Sequence, residues 1–190
     1  MDGLLSIFTA FGLSSAAGLN AYLPLLVVAL LARFTDLINL KPPWDALESW
    51  WVIGVLAVLL LIEMLVDKIP AVDTVNDVIH TFIRPVAGAI LFAASAGIIT
   101  EAHPALALIC GLLAAGGVHA VKATARPLVT GTTAGTLNPV VSILEDMLSF
   151  ILTILSILVP FLALLFLLAI LIWFIRWRRR RRQQPVPAKW

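Results

Sequence analysis

Ionisable side chains recur at helical spacing inside the apolar stretches of this 190-residue sequence. His119, Lys122 and Arg126 are separated by three and four residues, so they would share one face of a helix. Within a membrane such groups are costly, and they nearly always face the bundle interior or a water-filled cavity. The chemistry they favour is binding of an ionic solute, or ion pairing between helices.

Two further stripes repeat this spacing. Glu63 and Asp67 precede a segment in which acidic and basic residues follow one another along one helical face, and Asn138 opens a third stripe. The candidate polar-cavity residues are Glu63, Asp67, Asp73, Asp77, His80, Arg84, His119, Lys122, Arg126, Asn138, Ser142, Glu145 and Asp146. Their charged members together with Lys68 are six acids and four bases, a net charge of −2 with neutral histidines.

This near balance of charge leaves two interpretations open. Buried ion pairs could serve only to fix how the helices pack. Examples of such pairs are Asp77 with Lys122 and Glu145 with Arg126. Helix packing in membranes usually relies on a few Ser, Thr or Asn side chains rather than on so many charges. The number of charged residues therefore favours a polar cavity.

A metal site would draw on the acidic and imidazole side chains of the stripes. Oxygen and imidazole ligands at helical spacing suit several divalent ions. The candidates are Asp73, Asp77, His80, His119 and Glu145. The neighbouring arginines and lysine oppose cation binding, and mixed charges suit an anionic or zwitterionic group better. We therefore predict no bound metal and no cofactor.

Motifs for enzymatic chemistry do not occur in the sequence. Ser142 has Glu145 one turn on, but no GxSxG elbow surrounds it and no histidine is adjacent in sequence. No Walker-type phosphate-binding loop occurs either. We predict that the protein is not an enzyme.

The elements that carry these residues must be membrane helices. The sequence is 61% apolar and 13% charged, with a mean hydropathy of +1.04, against about 45–50% and about 25% in soluble domains. The apolar segments are residues 4–32, 52–66, 73–99, 105–125 and 148–175. A crossing takes about 20 residues, so we predict an all-α polytopic membrane bundle of about five transmembrane helices. Four or six crossings would result if the third segment is re-entrant or the last helix is a hairpin.

Polar and helix-breaking residues interrupt these segments. Asn20 and Pro24 predict a long or broken helix in the first segment, and Pro85 predicts a kink in the third. The last helix is predicted to begin at Asn138 and to run through Pro160 to the arginines.

The basic residues are concentrated at the C-terminus. Residues 176–190 carry seven of the thirteen basic residues, whereas residues 1–175 carry six against eleven acidic ones, a net charge of −5. We therefore divide the chain into a transmembrane helical domain, 1–175, and a basic tail, 176–190. An arginine run after an apolar helix indicates the cytoplasmic side and contact with anionic lipid headgroups rather than with nucleic acid. Five crossings then place the N-terminus outside, and Arg33 and Lys41 inside with the tail.

Two pairs of short strings suggest an internal repeat. DVIHTFIRP at 77–85 aligns with HAVKATARP at 119–127, and GLSSAAGLNA at 12–21 aligns with GLLAAGGVHA at 111–120. Interrupted helices at equivalent places in two halves are the usual pointer to a transporter site near the midplane. With five spans, however, a complete inverted repeat would lack a helix.

Long polar strings within the apolar sequence resemble a known family. They are GLNAYLPLL at 18–26, IEMLVDKIPAVDTVNDVIHTFIRPVAG at 62–88, HAVKATARP at 119–127 and NPVVSILED at 138–146. Together they are similar to the bacterial membrane family catalogued as domain of unknown function 4126, and the resemblance extends over almost the whole chain. It implies an integral membrane protein, without an established activity or assigned site residues.

The sequence favours a small-solute or ion transporter, or a channel-like protein, with a charged intramembrane cavity. We expect it in the bacterial cytoplasmic (inner) membrane with its C-terminus in the cytoplasm, and with the lipid bilayer and a small ionic solute as partners. Five short spans enclose a cavity poorly, so we also expect a homo-oligomer. The alternative is a non-transporting scaffold or lipid-binding protein whose charged residues pair helices.

The single cysteine, Cys110, provides no disulfide framework.

Overall fold

Helices make up the described part of the chain. The computed structural model describes residues 3–67, 70–95 and 104–182. The helices are α1 (Gly3–Leu19), α2 (Tyr22–Phe34), a short 3-10 helix (Trp44–Glu48), α3 (Trp50–Val66), α4 (Pro70–Ser95), α5 (Pro104–Thr133), α6 (Asn138–Leu158) and α7 (Pro160–Arg182). Among the described residues, three segments are long and apolar enough to cross a membrane: Val78–Ser95 within α4, and all of α5 and α6. The predicted all-α fold is confirmed for the described residues, these three segments indicate a membrane protein by length and composition, and the count of about five crossings stays a prediction.

The first apolar segment is divided at its polar residue. Asn20 Oδ1 accepts hydrogen bonds from the backbone N–H groups of Tyr22 and Leu23, at 3.1 and 2.9 Å, and so caps the first turn of α2. A side-chain acceptor at this point lets the backbone leave α1 and start a new helix. The expectation of a broken helix is confirmed.

The two arms α1 and α2 return to the same end of the bundle, and we call them the hairpin. Ser6, near the start of α1, and Leu37, just after α2, line one pocket. Leu13 and Val28, midway along the arms, belong to one core cluster. With 13 residues, α2 is about 20 Å long, too short for a hydrocarbon core of about 30 Å. Residues 4–32 are therefore not the single crossing that the sequence predicts.

The last apolar segment is divided at the residue before its proline. Val159 leaves the helical conformation, with φ −142° and ψ 72°, because Pro160 has no N–H and restricts the backbone before it. Phe166 and Leu167 of α7 pack near Leu152 of α6, so α7 turns back along α6. The predicted single helix through Pro160 is wrong, and the helical hairpin that the sequence left open is what forms.

These reversals decide which charges share an end of the bundle. Ser95 and Ile157 line the same pocket as Ser6, so α4 and α6 finish where the hairpin begins, and we call this the N-terminal end. The last turn of α7 lies about 33 Å from its first residue along the helix, toward the opposite end. Arg33 ends α2, and Lys41 follows it two residues beyond the pocket, so both lie at the N-terminal end. The prediction that they lie with the arginine tail is wrong, because the hairpin turns back.

Prolines inside α4 and α5 leave these helices unbroken. α4 continues through Pro85, and α5 continues through Pro127 to Thr133, beyond residue 125 where the sequence placed its end. In membrane helices, neighbouring helices and local adjustments satisfy the backbone groups that a proline frees. The greater length of α5 places His119 near its middle.

Small residues let α4 and α5 approach closely. A Cβ added to Gly88 would overlap the Ala115 side chain and lie 2.8 Å from the Gly111 carbonyl oxygen. α1 packs against both helices and also against α6 and α7, and Ser14 Oγ donates to the Gly88 carbonyl at 2.8 Å. α1 is therefore the centre of the bundle.

Candidate functional site

Charged side chains from α3, α4, α5 and α6 converge at mid-length of the bundle. We call them the charge cluster, and its members are Glu63, Asp67, His80, Arg84, His119, Lys122, Arg126, Glu145 and Asp146. All are buried except Glu145, whose side chain is 15% exposed. His119 lies about 22 Å along α5 from either end of that helix. Arg84 lies likewise in the middle stretch of α4, whereas Asp67 directly follows the end of α3 and Lys122 contacts the end of α1. The cluster therefore joins the middle of two long helices to the ends of two shorter ones.

Arg84 is the centre of one half of the cluster and is 0% exposed. Its guanidinium donates to Glu63 Oε1 at 3.1 Å and to His119 Nδ1 at 2.8 Å. His80 Nδ1 lies 3.3 Å from the same Glu63 oxygen. Because a guanidinium can only donate, His119 Nδ1 accepts, and its Nε2 carries the proton and donates to Thr81 Oγ1 at 3.1 Å. This half joins α3, α4 and α5.

Lys122 and Arg126 form the other half, between α5 and α6. Lys122 Nζ lies 3.0 Å from Glu145 Oε2 and 3.6 Å from Asp67 Oδ2. Arg126 Nη2 lies 3.3 Å from Asp67 Oδ2 and also donates to Glu145 Oε2. The pair of Glu145 with Arg126 that the sequence suggests is present. Buried charges of this kind are stable only when paired and hydrogen-bonded.

The tip of the hairpin touches the cluster at two points. Lys122 Nζ donates to the Leu19 carbonyl at 3.0 Å, at the C-terminus of α1, where helix dipoles favour a cation. Asn20 Nδ2 donates to Asp146 Oδ1 at 2.8 Å. Asn20 is 1% exposed and is missing from the predicted site residues. Its position as a polar residue that interrupts an apolar segment was the signal that could have identified it.

The remaining predicted residues lie beside the cluster or outside the described part. Asn138 Oδ1 accepts from Thr130 Oγ1 at 3.1 Å, and Ser142 is 0% exposed on the same face of α6 as Asp146. The side chains of Asp73 and Asp77 lie outside the described residues, and so does the suggested pair of Asp77 with Lys122.

The acids and bases of the described cluster nearly balance. Arg84, Lys122 and Arg126 face four carboxylates, which leaves a net charge of −1 with neutral histidines. Three of these carboxylates contact a cation within 4.0 Å, and they are Glu63, Asp67 and Glu145. Asp146 has no such contact with a described cation. Among the described residues, no group of three or more His, Cys, Asp or Glu side chains is placed to hold a metal ion.

The sequence matches one protein family over residues 7–180, which include the hairpin tip and the whole charge cluster. That family is described as domain of unknown function (DUF4126). The chain belongs to this family. The resemblance found in the polar strings is thereby confirmed, and DUF4126 membership assigns no activity to the cluster. Comparison with curated proteins gave no match, and comparison with solved structures gave none either.

Proposed function

We propose that this membrane protein is a small-solute or ion transporter whose binding site lies at the hairpin tip and the charge cluster. The observation that carries the proposal is a helix break inside the bundle, where Leu19 and Asn20 meet Lys122 and Asp146. Breaks of this kind leave backbone groups and helix dipole ends at the position of a solute. Here the carbonyl at the end of α1 is bound by Lys122, and the first N–H groups of α2 are bound by the Asn20 amide oxygen.

Two physical arguments support a working site. Non-helical backbone is tolerated at membrane depth only where it is buried in protein or lines a cavity, and Asn20 at the break is buried. Helix ends supply partial charges, negative at the end of α1 and positive at the start of α2, without a full charge of their own. Such ends hold an ion or a polar solute while leaving room for its release.

A second candidate is a scaffold whose charges only join helices. The observation that favours it is the pairing of each cation in the described cluster with at least one carboxylate. Paired charges hold helix register without binding any solute. The two candidates differ in one physical property, because a transporter must open the cluster to water and a scaffold keeps it closed.

Location and partners belong to the same proposal. Exposed Arg176 and Arg178 near the end of α7 favour a cytoplasmic end in contact with anionic lipid headgroups, in a bacterial inner membrane. The N-terminal end then faces outward. A homo-oligomer would enclose the site further, and no enzymatic step is part of the proposal.

Cysteine labelling separates transport from scaffolding. Ser142 and Ser156 are both 0% exposed on the buried face of α6, and they differ in that Ser142 adjoins the cluster. In a Cys110→Ser background, we would make Ser142→Cys and Ser156→Cys and treat membrane vesicles with a small, membrane-impermeant methanethiosulfonate cation. Transport predicts reaction at residue 142, because the cluster opens to water during the cycle.

The matched variant at residue 156 supplies the control. It has the same chemistry, helix and burial, and transport does not require it to meet water. Fast modification at 142 with protection at 156 supports the transporter. Equal protection at both positions overturns it in favour of the scaffold, and equal reaction at both would show that the bundle opens without a defined path.

A further inference from the structure

We propose a binding site for a small monovalent cation at Asp146 and Ser142, beside the hairpin tip. The inference rests on the proposed transport function and names the ion that would couple to it. Three observations support the site: Asp146 contacts no described cation, two buried oxygens beside it have no hydrogen-bond partner among the described residues, and both oxygens suit a cation.

The pairing of charges singles out Asp146. Arg84 is occupied by Glu63, while Lys122 and Arg126 share Asp67 and Glu145. Asp146 is 8% exposed and receives only the amide of Asn20, on Oδ1, among the described residues. A buried carboxylate without a cation is costly, so this position attracts one.

Two oxygens lie buried without a hydrogen-bond partner at this position. They are Asp146 Oδ2 and Ser142 Oγ, and neither has a partner among the described residues. Residues four apart on a helix have their Cβ atoms about 5–6 Å apart on one face, close enough for both oxygens to reach one ion. The Asn20 hydrogen bond holds Oδ1 and thereby orients Oδ2. Buried polar atoms in proteins are nearly always satisfied, so a shared ligand accounts for both oxygens at once.

The donor set fits a monovalent rather than a divalent ion. One carboxylate oxygen and one hydroxyl supply a single negative charge, whereas protein sites for divalent cations draw on several carboxylates. One added positive charge also neutralises the net −1 of the described cluster. Membrane transporters hold Na⁺ through oxygen ligands supplied by the protein.

Thermal unfolding of the purified full-length protein in detergent tests the site with the ion alone. We would titrate NaCl against choline chloride at constant ionic strength, and repeat the titration with LiCl and KCl. The wild type should show a saturable rise in Tm with Na⁺ and none with choline. Ser142→Ala should weaken the apparent affinity for Na⁺ about tenfold or more.

Ser156→Ala is the matched control, because it removes a hydroxyl from the same face of α6. That hydroxyl donates to the Leu152 carbonyl in its own helix, so the variant should keep the full response to Na⁺. Asp146→Asn should abolish the response, and binding of radioactive Na⁺ to the same samples gives a second readout. If Asp146→Asn does not fold, Ser142→Ala still decides the question.

Each outcome separates this site from the proposed function. No difference between any alkali cation and choline in the wild type overturns the cation site, and so does an equal response of Ser142→Ala and Ser156→Ala. A response to K⁺ but not to Na⁺ would keep the site and overturn Na⁺ as its ion. Labelling of Ser142→Cys together with no cation effect in the wild type would overturn the cation site and leave transport standing alone.

Discussion

The two halves of α5 use one helical face in two different ways. The buried residues of this helix form a single stripe of Ala107, Gly111, Ala115, His119, Lys122 and Arg126. The three small residues, Ala107, Gly111 and Ala115, bring α5 against the backbone of α4. His119, Lys122 and Arg126 instead contact polar or charged groups on α3, α4 and α6 and at the hairpin tip. One half is therefore positioned by shape and the other by charge.

This difference bears on what the charges are for. Contact between α4 and α5 through Gly88, Gly111 and Ala115 needs no ion pair. The small residues therefore fix the position of α5 independently of its charged half. A helix held in this way can change the partners of its charges without losing its place. If ion pairs were the only contacts, any rearrangement would separate the helices. This difference therefore favours a charge cluster that serves as a binding site over one that only joins the helices.

The largest effect is expected from breaking the charged half at Arg84. Replacement by Met in Arg84→Met would leave Glu63 buried without its guanidinium and His119 without its donor. Removing one partner of a buried ion pair costs about 3–5 kcal/mol of unfolding free energy. Thermal or SDS-induced unfolding in detergent measures the loss.

The double variant sharpens this prediction. Glu63→Gln with Arg84→Met removes both charges, so it should be more stable than Arg84→Met alone. Strictly additive losses would contradict a direct interaction between the two side chains.

A smaller effect is expected in the half that is positioned by shape. A Cβ in Gly111→Ala would lie 2.6 Å from Phe92 Cβ and 2.7 Å from Ala89 Cα, so α4 and α5 must move apart. Overpacking of this kind costs about 1–3 kcal/mol. Gly117→Ala is the control in the same helix, where an added Cβ meets nothing within 4 Å, and it should be neutral or slightly stabilising. Equal losses for both variants would contradict close approach at Gly111 as the cause, because the change to Ala raises helix propensity at both positions.

The hairpin tip should respond less than either half of α5. Asn20→Ala removes the side-chain acceptor for two backbone N–H groups at the start of α2, and loss of such a cap costs about 1 kcal/mol. It also removes the amide that binds Asp146, so limited proteolysis should become faster between α1 and α2. Asn20→Asp keeps the acceptor but places a second carboxylate beside Asp146, so it should be no more stable than Asn20→Ala. A fully stable Asn20→Asp would show that the amide does not donate to Asp146.

The smallest effect is expected for hydroxyls that bond within their own helix. Thr153 Oγ1 donates to the Ser149 carbonyl one turn earlier, on the part of α6 that lies away from the charges. Such bonds duplicate an existing helix bond, so Thr153→Val should change the unfolding free energy by no more than about 0.6 kcal/mol. A loss as large as that of Gly111→Ala would indicate a polar path along α6 that the described contacts do not contain.

Helical spacing predicted much of the charge cluster. The offsets of His119, Lys122 and Arg126 place them on one buried face as expected, and Glu145 does meet Arg126. Spacing within one helix is a local property, so a sequence displays it directly. The assignment of Glu63 to Arg84 was not predicted, because it depends on which helices become neighbours.

Both reversals of the chain were underestimated for a related reason. Asn20 was recognised as an interruption and a hairpin in the last helix was left open, but a local break does not determine the angle between the helices on either side. That angle is decided by packing between distant residues that look like ordinary apolar positions in the sequence. Leu13 and Val28 belong to one core cluster, and Phe166 packs against the cluster of Ala16 and Leu152. The polar role of Asn20 was missed because its partner, Asp146, lies 126 residues away.

The hairpin also orders the assembly of the protein. Its two arms are synthesised before α5 and α6, α2 is too short to cross a hydrocarbon core alone, and the backbone at the tip needs partners that lipid cannot supply. The groups that satisfy this tip are Lys122, which is 103 residues from Leu19, and Asp146, which is 126 residues from Asn20. They become available only after α5 and α6 have been synthesised and inserted. The hairpin is thus made before the groups that satisfy its tip, and its polar contacts are complete only when α5 and α6 have joined the bundle.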